Sequence, residues 1–117
     1  VLSLVKIATY SKGSIMDVQT QIKEIVEGHP VVLFMKGNAK FPQCGFSGKA
    51  IQILQACGVT EPHTINVLED EDIRHGIKEF SNWPTIPQLY VNGEFIGGSD
   101  IMTEMYQSGE LQQVIKA

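Results

Sequence analysis

Five consecutive apolar residues, Val31-Val32-Leu33-Phe34-Met35, constrain what this chain can fold into more than any other stretch of it. A membrane-spanning helix needs about 20 apolar residues, so this run is far too short to cross a bilayer. Its continuity and β-branched start suit a strand covered on both faces, which in turn demands amphipathic helices on either side. The flanking sequence supplies them. Upstream, Ser14 with Asp17 three residues later has the spacing of a capping box, Val18, Ile22, Ile25 and Val26 recur at helical spacing, and Gly28 and Pro30 end the segment. Downstream, segment 36–43 carries Gly, Asn and Pro without a period and reads as a loop into a helix that begins near Cys44. Ala50, Leu54 and Cys57 share one side of that helix, Ile51 and Ile53 widen the stripe, and Gly58 stops it.

Thr64, Ile65, Asn66 and Val67 form a second short strand, and the acidic residues at 69–72 open a third helix that carries Ile73, Ile77 and Phe80 on one face. The Ser81-Asn82-Trp83-Pro84 break follows. Asn92-Gly93, suited to a type I′ turn, joins strands at 88–91 and 94–96 into an antiparallel hairpin. After Gly97-Gly98, Ser99 or Asp100 caps a helix bearing Ile101, Met105 and Tyr106, and a last helix runs from Glu110 towards Lys116. The order is αβαβαββαα. Two strands separated by a helix lie parallel through a right-handed crossover, and the hairpin adds antiparallel strands. The class is therefore α/β, a mixed four-stranded sheet flanked by helices, and the order matches a thioredoxin-like fold.

A chain of 117 residues with 43% hydrophobic content buries one core and has no room for a second. The net charge is −4 and the nine Lys and Arg residues stand singly, so no basic face follows a phosphate backbone, and neither nucleic acid nor a membrane is an expected partner. Two cysteines, Cys44 and Cys57, do not make the disulfide framework of a small secreted fold and point to a reducing compartment. Residues 1–14 hold Lys6 and Lys12 with no acidic side chain, and their small and hydroxyl-rich composition reads as a transit-peptide remnant, with an expression-derived start as the alternative. His29, His63 and His75 have no mutual metal-ligand spacing.

Cys44 sits at a loop-to-helix junction, where unpaired N–H groups and the positive end of the helix dipole favour a thiolate. Lys36 and Lys40 add positive charge, and the small or polar neighbours Gln43, Gly45 and Ser47 argue for an accessible, reactive sulfur over a space-filling one. Cys57 lies 13 positions further on, at about 1.5 Å per residue some 20 Å away, too far for a disulfide. Its place on the apolar stripe marks it as an inert core residue. With Ser47 where a CxxC motif has its second cysteine, a second thiol must come from another molecule.

Lys36-Gly37, Pro42-Gln43-Cys44-Gly45-Phe46-Ser47, Trp83-Pro84-Thr85-Ile86-Pro87 and Gly97-Gly98-Ser99-Asp100 together resemble the signature blocks of single-domain, mitochondrial-type monothiol (CGFS) glutaredoxins, from about residue 15 to residue 117. The resemblance implies a glutathione site. Lys36 and Arg74 would pair with the glycine-end carboxylate, with Lys78 a secondary candidate. The main chain of Ile86 before a cis Pro87 would pair with the tripeptide backbone, and Ser99 with Asp100 would receive the γ-glutamyl end. Read without the blocks, Arg74 and Lys78 are the solvated face of an acidic helix, Pro84 and Pro87 end structure, and Trp83 packs at the edge of the site.

The resemblance also implies a [2Fe-2S] cluster carrier. Such a cluster takes four ligands, and one accessible cysteine per chain calls for a homodimer in which two Cys44 thiolates and two glutathione thiols share it, with a monomer when apo. Expected partners are glutathione, apo iron-sulfur proteins, the assembly machinery and BolA-like proteins. The expected place is the mitochondrial matrix, with the bacterial cytoplasm or another organelle as the alternative. Many relatives carry cysteine at the position of Ser99, so an intramolecular disulfide with Cys44 is excluded here. Two other functions stand beside the carrier: a glutathione-dependent thiol-disulfide oxidoreductase acting in deglutathionylation, at most a weak monothiol one, and a docking module.

Overall fold

β1 (Val31–Met35) is buried along all five residues and occupies the middle of a four-stranded sheet ordered β2-β1-β3-β4. This computed structural model describes residues 17–116. β2 (His63–Asn66) pairs parallel to β1, with Phe34 opposite Ile65. β3 (Gln88–Val91) pairs antiparallel on the other side, with Leu33 opposite Leu89, and β4 (Glu94–Gly97) closes the hairpin. Asn92 at φ 52° and Gly93 at φ 84° make the tight turn, which is why that dipeptide stands there.

Alternation along β1 divides the interior into two cores. Val32 and Phe34 face Ile22 and Val26 of α1 (Val18–Gly28) and Ile73 and Ile77 of α3 (Glu71–Ser81), with Tyr90 between them. Val31, Leu33 and Met35 face Ala50, Ile51 and Leu54 of α2 (Gly45–Ala56), Met102 of α4 (Ser99–Ser108) and Leu111 of α5 (Glu110–Lys116). Each fully buried aliphatic contributes about 1.5–3 kcal/mol, so β1 anchors both layers at once. α1 and α3 cross at Gly76, where a side-chain carbon would collide with a Val18 methyl. Gln19 Nε2 donates to the Gly76 carbonyl at 3.0 Å in that close approach.

The helix-strand order is as the sequence leads one to expect, and several boundaries differ: β2 starts at His63 and β4 runs on through Gly97. The expected extension, residues 1–14, and the Ser14 cap lie outside the described residues. α1 is instead capped by Asp17, whose Oδ1 accepts from the Thr20 N–H at 2.9 Å, so the carboxylate acts as the cap and not as the partner of one. Val67 leaves the second strand and opens a 3-10 turn, Val67–Glu69, because Asn66 Oδ1 accepts from the Leu68 N–H at 3.0 Å and bends the chain. Neither Ser99 nor Asp100 caps α4. Gly98 does, without a side chain, and an added carbon there would meet the Pro87 carbonyl at 3.3 Å.

At the far end of the sheet, the His29 and His63 rings stack with centroids 3.7 Å apart and an 8° tilt. Burial, and then His29, push the His63 imidazole below the usual histidine range. A depressed imidazole value means that the unfolded chain takes up the proton more readily. The contribution to stability is thus complete above the unfolded value, near 6.5, and is lost as pH falls through it towards the folded value. Thermal unfolding is expected to drop between pH 7.5 and 5.5, by less in His63→Gln than in the unsubstituted chain; equal drops would remove His63 as a cause.

Candidate functional site

Beyond Met35 the chain enters loop 36–43, which is pinned at both ends. Gly37, at φ +89°, lets the strand turn out of the sheet, and its N–H donates to Asn66 Oδ1 at 2.9 Å. Gln43 N–H donates to the Lys36 carbonyl at 2.9 Å, an isolated bridge joins Gly37 to Pro42, and Asn38 Oδ1 accepts from the N–H groups of Lys40 and Phe41 at 3.0 and 2.9 Å. Ser47, fully buried, accepts from the Lys36 N–H through its Oγ at 3.0 Å. These ties fix where the loop delivers Cys44.

Cys44 is the N-cap of α2, half-buried, with extended backbone at φ −155° and ψ 137°. Its sulfur closes no cap hydrogen bond of ordinary length. The first N–H groups of the helix nonetheless favour its anion. The Ser47 N–H does most to hold the thiol below the ordinary cysteine value; partial burial opposes it, and the Phe46 N–H, the Lys36 charge and the Ser47 hydroxyl reinforce it. Lys36→Gln is expected to move the midpoint of Cys44 alkylation by iodoacetamide to higher pH, because the thiolate loses a favourable charge. An unmoved midpoint would mean that the Lys36 charge does not reach the sulfur.

Cys57 stands apart. It is the C-cap of α2, at the other end of a 12-residue helix about 18 Å long. It packs partly buried against the α2 core, and burial pushes its thiol up, the reverse of Cys44. The expectation of a residue inside the helix is thus amended to one at its end, because Gly58 takes φ +88° directly after it.

Beside the α2 N-terminus lies a groove of about 380 Å³, lined by Lys36 and Phe46, by Lys78 of α3, by segment 83–87 and by residues 98–101. The size falls within the range of small-molecule sites. Ile86 and Pro87 are buried in its wall, and the bond between them is cis. Ser99 is nearly buried and Asp100 exposed, both in the first turn of α4, where N–H groups lack intrahelical acceptors. The groove has cations, Lys36 and Lys78, and an anion, Asp100, in a wall otherwise made of apolar side chains, backbone and the hydroxyl residues Thr85 and Ser99. That arrangement matches a short zwitterionic peptide.

Of the residues expected from the sequence, Lys36, Ile86, Pro87, Ser99 and Asp100 come together in this groove. Arg74 is half-buried on α3 and does not line it; Lys78, one turn on, does. Cys44 opens onto an adjoining shallow depression with Pro42, Gln43, Gly45 and Lys49. Lys36 and Phe46 join the two, since both line the groove and both act on the sulfur. Sequence reasoning took Ser47 as a small neighbour and missed it as a buried acceptor for the loop. Its place three residues after an N-cap was the available signal. Phe41, 69% exposed, and Phe46, 62% exposed, also went unremarked, and they leave apolar surface on either side of Cys44 along the chain.

A family model described as glutaredoxin matches residues 31–96, which hold the sheet, the thiol and the cis proline. The chain is 54% identical over 100 residues to the ycf64-like monothiol glutaredoxin of Synechocystis, covering 86% of this chain and 92% of that one. It is 56% identical over 97 residues to the mitochondrial monothiol glutaredoxin-5 of Schizosaccharomyces pombe, covering 81% of this chain and 66% of the relative. The solution structure of reduced apo GrxS14 of poplar superposes with a TM-score of 0.72 at 51% identity, over 85% of this chain and 90% of the other. A lone activated cysteine at the head of α2, the cis-proline wall and these likenesses lead to one conclusion: the chain belongs to the glutaredoxin family, among its monothiol members.

Proposed function

We propose that this chain binds glutathione in the groove beside α2 and, as a dimer, carries a [2Fe-2S] cluster to apo-proteins during iron-sulfur assembly. The observation that carries the reading is the coincidence of one activated thiol with a peptide-sized zwitterionic groove and no second thiol within reach. Lys36 and Lys78 would hold the glycine-end carboxylate, with Arg74 as an outer charge. The main chain of Ile86 would pair with the tripeptide, Pro87 would form the wall, and Ser99 and Asp100 would take the γ-glutamyl end. The glutathione thiol then lies beside Cys44.

The donor count supports a shared cargo. Among the described residues no group of three or more His, Cys, Asp or Glu side chains could hold a metal ion. One chain offers one accessible thiolate, so two copies and two glutathiones complete a four-thiolate set. Ligands drawn from solution exchange readily, which suits release to an acceptor's cysteines. Phe41 and Phe46 give the docking face apolar area, available to a second copy, to an apo-acceptor or to a BolA-like protein. Among the described residues no helix is long and apolar enough to cross a membrane. Mitochondrial relatives support the mitochondrial matrix as the place of work, and the cyanobacterial relative supports the alternative of a bacterial cytoplasm.

Two measurements test the reading. Calorimetric titration with glutathione is expected to give one saturable site per chain, lost in Ser99→Ala/Asp100→Ala. Anaerobic reconstitution with iron and sulfide is expected to give visible charge-transfer bands only when glutathione is added. Colourless protein under all conditions, together with turnover of glutathionylated substrates, would make the oxidoreductase reading the better one.

A further inference from the structure

The groove wall at 83–87 has little backbone hydrogen bonding of its own. Pro84 and Pro87 have no N–H to give, and the Trp83 N–H is spent on the Lys78 carbonyl at 3.1 Å. The wall is held from beneath by a side chain. Gln88, fully buried at the start of β3, donates through Nε2 to the carbonyls of Trp83 and Thr85, both at 3.1 Å. Its Oε1 accepts from the Tyr90 hydroxyl at 3.3 Å, which fixes the orientation of the carboxamide. Tyr90 is itself wedged against Phe34, Phe80 and Phe95.

We propose that Gln88 is a positioning residue for the glutathione groove: its carboxamide takes the place of missing backbone donors and sets the position of the Trp83–Pro87 wall against the first turn of α4. The opposite wall leaves little slack. A side-chain carbon at Gly98 would lie 3.3 Å from the Pro87 carbonyl and 3.7 Å from Trp83 Nε1, so segment 83–87 and the N-cap of α4 are in near contact. A wall that slips changes the place of the Ile86 main chain and the mouth of the groove together. Gln88 lines neither the groove nor the thiol's depression, and it acts through the residues that do. A buried amide is costly to place unless its hydrogen bonds are made, and here both donors and the acceptor are used. A strand residue kept for packing alone would be apolar, as Leu89 and Val91 are.

The inference rests on glutathione occupying the groove, and the test separates the two. Gln88→Met keeps the volume and leaves both carbonyls without their donor. Tyr90→Phe removes only the hydroxyl that orients the carboxamide and is the milder variant should the first fail to fold. Glutathione binding by calorimetry, Cys44 alkylation against pH, and amide shifts of the apo protein are measured on both and on the unsubstituted chain. The expected result is a dissociation constant raised roughly tenfold in Gln88→Met, which by the usual conversion is about 1.4 kcal/mol, and about two- to threefold in Tyr90→Phe. The alkylation midpoint stays unchanged and apo amide shifts are confined to segment 83–88 and the start of α4. Folded variants that bind glutathione as the unsubstituted chain does would overturn the proposal alone. An unsubstituted chain that takes up no glutathione would overturn the groove reading and this proposal with it.

Discussion

Cys44→Ser is expected to bring protein-bound cluster after reconstitution down to background while leaving the fold intact. The two halves of that result have separate causes. Serine is among the best N-cap residues, so its hydroxyl serves the first N–H groups of α2 at least as well as the thiol does, and unfolding is not expected to occur at lower temperature. A neutral hydroxyl, in contrast, is a poor substitute for a thiolate ligand, and each dimer would lose two of four. The loss should exceed the roughly 10–100-fold that follows removal of a mere outer-shell partner. Cys57→Ser is the control: half-buried at the far end of α2, it should retain the cluster, with only a small loss of stability. Retention of colour by Cys44→Ser and its loss in Cys57→Ser would exchange the roles assigned to the two cysteines.

Gly37→Ala should damage both stability and the site. At φ +89° a residue with a side chain is strained by about 1–2 kcal/mol. The added carbon would also meet two backbone atoms, the Phe41 carbonyl oxygen at 2.5 Å and the Gln43 nitrogen at 2.6 Å, where no flexible side chain can yield. Overpacking of this kind costs about 1–3 kcal/mol. Denaturant unfolding is therefore expected to lose about 2–5 kcal/mol in total. The same clash breaks the bond from the Gln43 N–H to the Lys36 carbonyl and so moves the residue that precedes Cys44. The alkylation midpoint of Cys44 should rise towards that of an unstructured thiol. A variant with unchanged unfolding and unchanged reactivity would show that loop 36–43 does not hold the thiol in place.

How much of this could be read from the sequence depended on whether the determining forces were local. The Asn92-Gly93 hairpin, the buried run of β1 and the acidic start of α3 all follow from periodicity and turn chemistry within a few residues. The family blocks located Cys44, Lys36, Ile86, Pro87, Ser99 and Asp100, and five of these line one groove while Cys44 stands beside it. What escaped depended on contacts between distant segments. The N-cap of α4, Gly98, has no room to spare for a side chain because the Pro87 carbonyl crowds it from another loop. Ser47 serves Lys36 across 11 residues, and Asn66 serves Gly37 across 29. Lys78 lines the groove and Arg74 does not; a helix face read from spacing alone could not choose between two cations one turn apart. Gln88 read simply as the start of a strand, since nothing in an alternating pattern distinguishes a buried amide that binds carbonyls from one that faces solvent.

Native mass spectrometry of the anaerobically reconstituted protein tests the central claim most directly. The account predicts a species of two chains, one [2Fe-2S] cluster and two glutathiones, with the glutathiones and the cluster lost together on gentle activation and only apo monomer left in Cys44→Ser. A cluster bound by a single chain, or by a dimer without glutathione, would contradict it.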